Sequence, residues 1–159
     1  MIRPAEPRDL EAVYRMGYDT WGDSKPVHAY LKACAESPKY RTGTWYVLEE
    51  RGRLMSSLIV HRLADHSFGL GSISTPPERR RNGWASQLIS GVLSLLDSQG
   101  AETIYLHSDI DALFYARFGF RLLPPDLQRR AGSGAMLRCP PALFTSIVGS
   151  PGYRAPDYF

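Results

Sequence analysis

The residues with the most legible chemistry lie in the run Thr75-Pro76-Pro77-Glu78-Arg79-Arg80-Arg81-Asn82-Gly83-Trp84-Ala85. A β-rich stretch ends there, a turn carries Arg80, Gly83 and Ala85 at R-x-x-G-x-A spacing, and a helical pattern follows. Successive backbone N–H groups in such a turn, backed by the positive end of a helix dipole, make an anion site. Gly83 has no Cβ, so a phosphate can approach the backbone closely, and Ala85 keeps the next approach nearly as open. A second group is Tyr115, in Phe114-Tyr115-Ala116-Arg117-Phe118-Gly119-Phe120. Gly119 suits the left-handed cap that ends a helix, and Phe120 then starts a strand by burying its ring. Tyr115 lies one helical turn before that cap, with its hydroxyl directed toward the sheet. A phenol is neutral at pH 7 and has one proton to donate. Taken singly, the turn also fits a basic helix cap and Tyr115 a core aromatic.

The elements that must position these groups follow from periodicity and breakers. Residues 2–5 read as a first strand. A helix begins at residues 7–10, with Leu10, Val13, Tyr14 and Gly17 on one side, and Gly22 breaks it. Residues 25–36 form a second helix, ended by Ser37-Pro38. Residues 45–49 and 54–61 are strands joined by a hairpin at Arg51-Gly52. After a turn at 64–67, a strand over 68–74 runs into the loop. In the next helix Trp84, Leu88, Val92 and Leu95 recur at helical steps, and Gly100 ends it. A strand at 103–107, a short helix through Phe118, strands at 120–123 and 135–138 and a short helix at 140–148 complete the pattern. Residues 149–159 read as a tail anchored only by Tyr153, Tyr158 and Phe159. The fold class is therefore α/β (α+β mixed): a central, mostly antiparallel twisted sheet of about seven strands with helices on both faces.

Both motifs, in this order and with a helix and a strand between them, resemble the signatures of the GNAT superfamily of N-acyltransferases. That family shows an apolar residue, then x-Pro-Glu-x-Arg-x-x-Gly-x-Gly/Ala; here Thr75 replaces the apolar residue, while Pro77, Glu78, Arg80, Gly83 and Ala85 fit. The late signature is matched by Tyr115, Gly119 and Phe120. The resemblance implies one GNAT domain over residues 1–139, with 140–159 as a C-terminal extension. It implies acetyl-CoA as cofactor. Ile73, Ser74 and Thr75 would offer backbone bonds to the pantetheine arm. Arg81, Asn82, Gly83, Trp84, Ala85 and Ser86 would hold the pyrophosphate. Arg80 would pair with Glu78 or a phosphate, chiefly to hold the loop. Ser108 stands where many members carry an Asn that contacts the cofactor arm. Tyr115 would sit near the thioester sulfur as a general acid toward the leaving thiolate.

The implied reaction is direct attack of an amine on the thioester carbonyl, so something must accept a proton. Many members place a carboxylate on the strand before the loop, but Phe68-Gly69-Leu70-Gly71-Ser72-Ile73-Ser74 has none. The remaining routes are water relayed through Ser72 or Ser74, or His61, His66 or His107. His107 ends its strand where the sheet is expected to splay, and its ordinary pKa suits proton acceptance. Gly69 and Gly71 would leave room for a bulky acceptor. For the acceptor, Asp19 and Asp23 flank Trp21 at the first helix end and could hold a cationic amine; Trp45 is a further candidate wall. A non-catalytic acyl-CoA sensor stays open beside the N-acetyltransferase, because of the missing carboxylate.

Composition agrees with this. The chain has 159 residues, 43% apolar and 22% charged, as in an ordinary soluble domain. A net charge of +3 suits an anionic cofactor and is too small to argue for nucleic acid. No apolar run is long enough to span a bilayer, and Met1-Ile2-Arg3-Pro4 leads directly into acidic residues, so a cytoplasmic location without signal peptide is expected. Cys34 and Cys139 read as reduced structural thiols, and no Cys/His spacing suggests a metal site. The expected partner is a small-molecule or peptide amine, with neither nucleic acid nor membrane; a homodimer is left open.

Overall fold

The structure is a computed structural model that describes residues 1–157 and 159; Tyr158, one of the expected tail anchors, lies outside the described residues. Seven strands form one sheet in the order β1-β2-β3-β4-β5-β7-β6. They are β1 (Ile2–Pro4), β2 (Thr44–Glu50), β3 (Arg53–Ala64), β4 (Ser67–Ser74), β5 (Thr103–Ser108), β6 (Phe120–Leu122) and β7 (Gly134–Arg138). The pairs β1–β2, β2–β3, β5–β7 and β6–β7 are antiparallel, whereas β4–β5 is parallel. The helices are α1 (Leu10–Met16), α2 (Tyr18–Trp21), α3 (Val27–Glu36), α4 (Pro38–Thr42), α5 (Trp84–Ser98), α6 (Leu113–Ala116) and α7 (Pro141–Val148). The mixed α/β architecture, a mostly antiparallel sheet flanked by helices, is the expected one.

The helical segment before β2 is more broken than the periodicity suggests. The first helix stops at Gly17 before α2 begins. A Cβ on Gly17 would lie 2.1 Å from Cε3 of Trp21, so the missing side chain makes room for that ring. Ser37-Pro38 ends α3 as expected, with Ser37 extended, yet Pro38 then opens α4. Proline is tolerated in the first helical turn, where its missing N–H has no partner to lose.

The chain folds as two compact units, Met1–His61 with Gly71–Leu96, and Arg62–Leu70 with Asp97–Phe159. In the first, Val13, Trp45, Val47 and Ile59 form a core cluster. Leu88, Ile89, Val92, Leu93 and Leu96 form the buried stripe of α5. Arg3 ties β1 to its neighbours: Nη1 donates to Asp9 Oδ2 at 2.6 Å and Nε to Glu49 Oε2 at 2.8 Å. The Asp9 carboxylate also accepts the Glu6 N–H at 2.8 Å.

In the second unit Tyr105, Leu123, Ala135, Leu137 and Ala155 share a core. The segment after Cys139 contributes more than anchors. Phe144, Ile147, Val148, Tyr153 and Phe159 pack on that core, and the Tyr105 and Tyr153 hydroxyls hydrogen-bond at 2.7 Å. Arg138 makes a two-pronged pair with Asp97 at 2.8 and 2.9 Å, and its Nε donates to the Phe118 carbonyl. Among the described residues, no helix is long and apolar enough to cross a membrane.

The Arg3 guanidinium holds the Asp9 carboxyl below the usual carboxylate range. A carboxyl whose pKa is depressed on folding adds stability that is complete above its unfolded value and is lost as pH falls through its folded one. Thermal denaturation across acid pH should therefore show Asp9→Asn losing about 1.5–3 kcal/mol at neutral pH, the range for hydrogen bonds to charged groups. The gap to the parent should narrow below about pH 4. A gap that is constant with pH would refute the ionised role of Asp9.

Candidate active site

The first unit contains the turn expected to hold the pyrophosphate. Its foundation is a pair of serines in the middle of β3, between Met55 and Leu58. Ser56 and Ser57 of β3 are fully buried. Ser56 Oγ donates to the Ser74 carbonyl at 2.8 Å and lies 3.0 Å from Thr75 Oγ1, while Ser57 Oγ lies 3.3 Å from Ser74 Oγ. These bonds satisfy polar groups that burial would otherwise penalise, and they hold the last residue of β4 and the first of the loop. Within β4, Ser72 takes a positive φ of 45°, a conformation rare outside glycine, so the strand is kinked there.

The loop then alternates. A 3-10 turn spans Pro77–Arg79, Arg81 and Gly83 take φ of 65° and 78°, and α5 starts at Trp84. Arg80 is extended between the 3-10 turn and the left-handed Arg81, and tight turns of this kind can point neighbouring N–H groups into one concavity. Asn82 Nδ2 donates to the Arg79 and Arg80 carbonyls, and the Gly83 carbonyl accepts the Gln87 N–H as the first bond of the helix. Loop carbonyls are thereby engaged, while the first N–H groups of α5 have no acceptor within the helix. No atom lies within 4 Å of the point where a Cβ on Gly83 would stand, so the turn is open on that side. A pyrophosphate fits such a turn: N–H groups with no acceptor inside the helix, a helix N-terminus and no side chain beside Gly83.

Arg80 fixes the loop from beneath. Nε donates to the Thr75 carbonyl at 2.9 Å, and the guanidinium pairs with Asp19 at 2.8 Å. The partner is Asp19 of α2, not Glu78, which instead lies 3.7 Å from Arg79. This revises the expected acceptor cluster. The Asp19 carboxylate is committed to Arg80, whose hydrogen bond holds it below the usual carboxylate range. The Trp21 ring lies over Gly17, and Asp23 is an exposed turn residue with φ of 48°. The three residues have separate tasks and do not form a cage for a cation.

Trp45 belongs to a different feature. A cavity of about 770 Å³ opens among α1, α3, α4 and β2, and Trp45 forms part of its wall. Trp45 is 7% exposed, and its indole N–H has no hydrogen-bond partner among the described residues.

The second unit contains Tyr115, in the short helix α6. It is 8% exposed and stands edge-on to Phe114 and Phe120 at 5.0 and 6.3 Å between ring centres. Burial, with a smaller contribution from the Asp109 charge, pushes its hydroxyl up to about 12. Tyr115 therefore keeps its proton at neutral pH. Gly119, at φ 90°, ends the α6 turn and lets Phe120 enter β6 fully buried. Ser108 is spent locally: its Oγ donates to the Ile110 carbonyl at 2.8 Å, closing the turn after β5. His107 packs edge-on to Phe159 at 5.1 Å. The same ring fills the notch at Gly69, where a Cβ would come within 2.3 Å of it. Gly69 thus makes room for the C-terminal aromatic ring, not for an acceptor as expected. Of the other histidines, His66 Nδ1 meets the Gly100 carbonyl at 3.0 Å, and burial lowers the pKa of His61. Among the described residues, no group of three or more His, Cys, Asp or Glu side chains could hold a metal ion.

Sequence reasoning missed Ser56, Ser57 and Tyr40. The serines carried a signal, being two polar residues in mid-strand between Met55 and Leu58. Tyr40 carried none, because α4 itself was not foreseen.

The acetyltransferase (GNAT) domain model matches residues 1–123. The chain belongs to the GNAT acetyltransferase family. It is accordingly an acyltransferase, with acetyl-CoA as its donor. Curated protein sequences give no match. Among solved structures, the PaiA N-acetyltransferase of Thermoplasma acidophilum, in complex with coenzyme A, superposes with a TM-score of 0.69 at 13% identity, over 87% of this chain and 98% of that one. A GNAT family acetyltransferase of Brucella melitensis, in complex with acetyl-CoA, gives 0.59 at 22% identity over 85% of each chain. The ribosomal-protein-S18-alanine N-acetyltransferase of Escherichia coli gives 0.66 at 16%, over 87% and 92%. At such identities the likeness is one of fold.

Two substitutions test the turn by calorimetric titration with acetyl-CoA. Gly83→Val adds bulk on the open side and strains a positive φ, and should weaken binding by roughly 10-fold or more, allowing about 1–3 kcal/mol for strain alone. An unchanged affinity in a folded Gly83→Val protein would refute the turn as the pyrophosphate site. Asp19→Asn releases Arg80. Because that ion pair is half exposed, the loss should be only about two- to five-fold.

Proposed function

We propose that this acetyltransferase transfers acetyl from acetyl-CoA to a primary amine, carried by a small molecule, an amino acid or a peptide, by direct attack on the thioester. The observation that carries the reading is the turn from Arg80 to Ala85, with its left-handed Arg81 and Gly83 leading into α5. It supplies donors for a pyrophosphate and nothing that would suit a cation. Acetyl-CoA supplies the activated carbonyl. The chain's own residues bind, orient and manage protons. Arg81 to Ser86 hold the pyrophosphate through the backbone, and Ile73 to Thr75 orient the arm beside the kink in β4. Positioning of two reactants in this way accounts for a large part of the rate in such reactions.

Tyr115 is the proposed proton donor to the leaving thiolate. Its buried phenol remains protonated, and no hydrogen-bond partner among the described residues competes for the proton. Two solved relatives are named for amine-bearing acceptors, the S18 alanine enzyme of Escherichia coli and an aminoglycoside 6'-acetyltransferase. They support an amine as acceptor in kind, without indicating which one.

A screen of primary amines with acetyl-CoA, read as released thiol, tests the function. Binding without release to any amine would make the chain an acyl-CoA sensor. With an accepted amine in hand, Tyr115→Phe should lower kcat by about 10- to 1000-fold, the scale of general-acid effects, and leave acetyl-CoA affinity within about two-fold. Since the Tyr115 hydroxyl ionises only near pH 12, the parent's rate should rise with pH as the amine deprotonates. It should show no alkaline fall that Tyr115→Phe removes. Unchanged turnover in Tyr115→Phe would leave Tyr115 a packing residue.

A further inference from the structure

The cavity walled by Trp45 takes no part in holding the pyrophosphate. Its wall is largely aromatic and aliphatic, with Leu10, Tyr14, Leu31, Tyr40 and Trp45. The Tyr14 and Tyr40 rings stack at 5.8 Å and 14°, and Trp45 stands edge-on to both, at 6.1 and 5.0 Å. Two charged residues, Glu11 and Arg41, reach the rim. Both have partners within the protein: Glu11 pairs with Arg15 at 2.8 Å, and Arg41 Nε donates to the Ala35 carbonyl at 2.9 Å. The wall therefore offers chiefly ring faces and edges, and its one carboxylate, Glu11, is already engaged by Arg15.

One ring of that wall leads out of the cavity. The Tyr40 hydroxyl accepts a hydrogen bond from Ser72 Oγ at 3.1 Å. Ser72 is the kinked residue of β4, two positions before the strand enters the anion-binding turn. A molecule lying against Tyr40 thus meets aromatic rings at one end and, at the other, the Tyr40 hydroxyl, whose donor Ser72 belongs to the strand proposed to orient the thioester arm.

We propose that this cavity is the acceptor site and that the acceptor is a primary amine bearing an aromatic ring, an arylalkylamine. The ring packs among Tyr14, Tyr40 and Trp45, and the amine lies toward Tyr40 and Ser72. The assignment rests on the N-acetyltransferase reading and narrows it. Ring-on-ring packing favours an aromatic guest over an aliphatic one. A polyamine or amino sugar carries several ammonium groups and needs several carboxylates, which this wall lacks. The apolar surroundings also bear on the missing base. An amine leaving water for an apolar site is held more easily in its neutral form, so the reactive amine is obtained with no carboxylate on β4. In the transfer, the amine nitrogen bonds the carbonyl carbon as the carbon–sulfur bond breaks. The nitrogen loses one proton to water through the hydroxyls, the thiolate gains one from Tyr115, and Tyr115 regains its proton from water, so that amine and thioester become amide and thiol. Tyr40 is a positioning residue in this scheme.

Titration of the full chain with 2-phenylethylamine and with spermidine, in the presence of coenzyme A, tests the site directly. The arylalkylamine should bind at least 10-fold more tightly. Ala35→Trp, at an exposed rim position of the same cavity, should weaken its binding at least 10-fold and leave acetyl-CoA affinity unchanged. Tyr40→Phe keeps the ring and removes the hydroxyl. It should lower kcat for 2-phenylethylamine several-fold with KM unchanged, a split that general loosening of the fold would not produce. Spermidine binding as tightly, or 2-phenylethylamine binding untouched by Ala35→Trp, overturns the proposal while acetyl-CoA binding persists. Tight binding of 2-phenylethylamine without transfer also overturns it, because the cavity is then not the acceptor site. Failure of acetyl-CoA itself to bind would instead remove the parent reading.

Discussion

The turn after β4 could take an anion only through the N–H groups that lead into α5, so what fixes the turn must use other groups. The structure meets that constraint with side chains and carbonyls. Arg80 reaches back to the Thr75 carbonyl and across to Asp19, and Asn82 takes up the Arg79 and Arg80 carbonyls. Ser56 and Ser57 hold the end of β4 from the neighbouring strand. Arg79 adds a bond from its guanidinium to the Leu54 carbonyl. Each of these bonds spends an acceptor, and none spends a donor of the helix N-terminus. That division explains why the stretch is rich in arginine although the net charge is small: two of the three arginines serve the protein's own carbonyls.

The strain in the turn is affordable for the same reason. Arg81 sits at positive φ without being glycine, as does Ser72 upstream. Such conformations cost of order 1–3 kcal/mol each and persist where surrounding bonds over-determine them. The serine pair, Arg80 and the Tyr40–Ser72 bond supply that surplus within the first unit. In the second unit a different logic applies. Tyr115 stands edge-on to Phe114 and Phe120, and burial raises further the pKa of a phenol that is already neutral at pH 7. The Arg138–Asp97 pair and the Phe118 carbonyl steady the backbone just after it.

Aromatic packing recurs as the organising device on both sides. Phe159 fills the Gly69 notch against His107, and Tyr153 shares a hydrogen bond with Tyr105. The segment after Cys139, expected as a loosely tied extension, supplies a large part of the core of its unit. Gly69 in β4 makes room for the ring of Phe159, far along the chain, and Gly17 between α1 and α2 makes room for the nearby ring of Trp21.

What the sequence determined by itself was whatever depends on local spacing. The stripe on α5, the hairpin at Arg51-Gly52, the caps at Gly100 and Gly119 and the strand–turn–helix at Arg80 to Ala85 are short-range consequences of side-chain period and backbone permissiveness. They sufficed for the fold class and for the strand–turn–helix geometry at Arg80 to Ala85. Only the tertiary structure decided the partners of long side chains. Asp19 could have faced solvent, an amine or an arginine, and it meets Arg80, 61 residues away in sequence. Gly69 could have left space for a ligand, and Phe159 takes that space. Tyr40 could be placed only once Pro38 was seen to begin a helix. These outcomes depend on which elements meet, a long-range matter of burial and register that residue spacing does not encode.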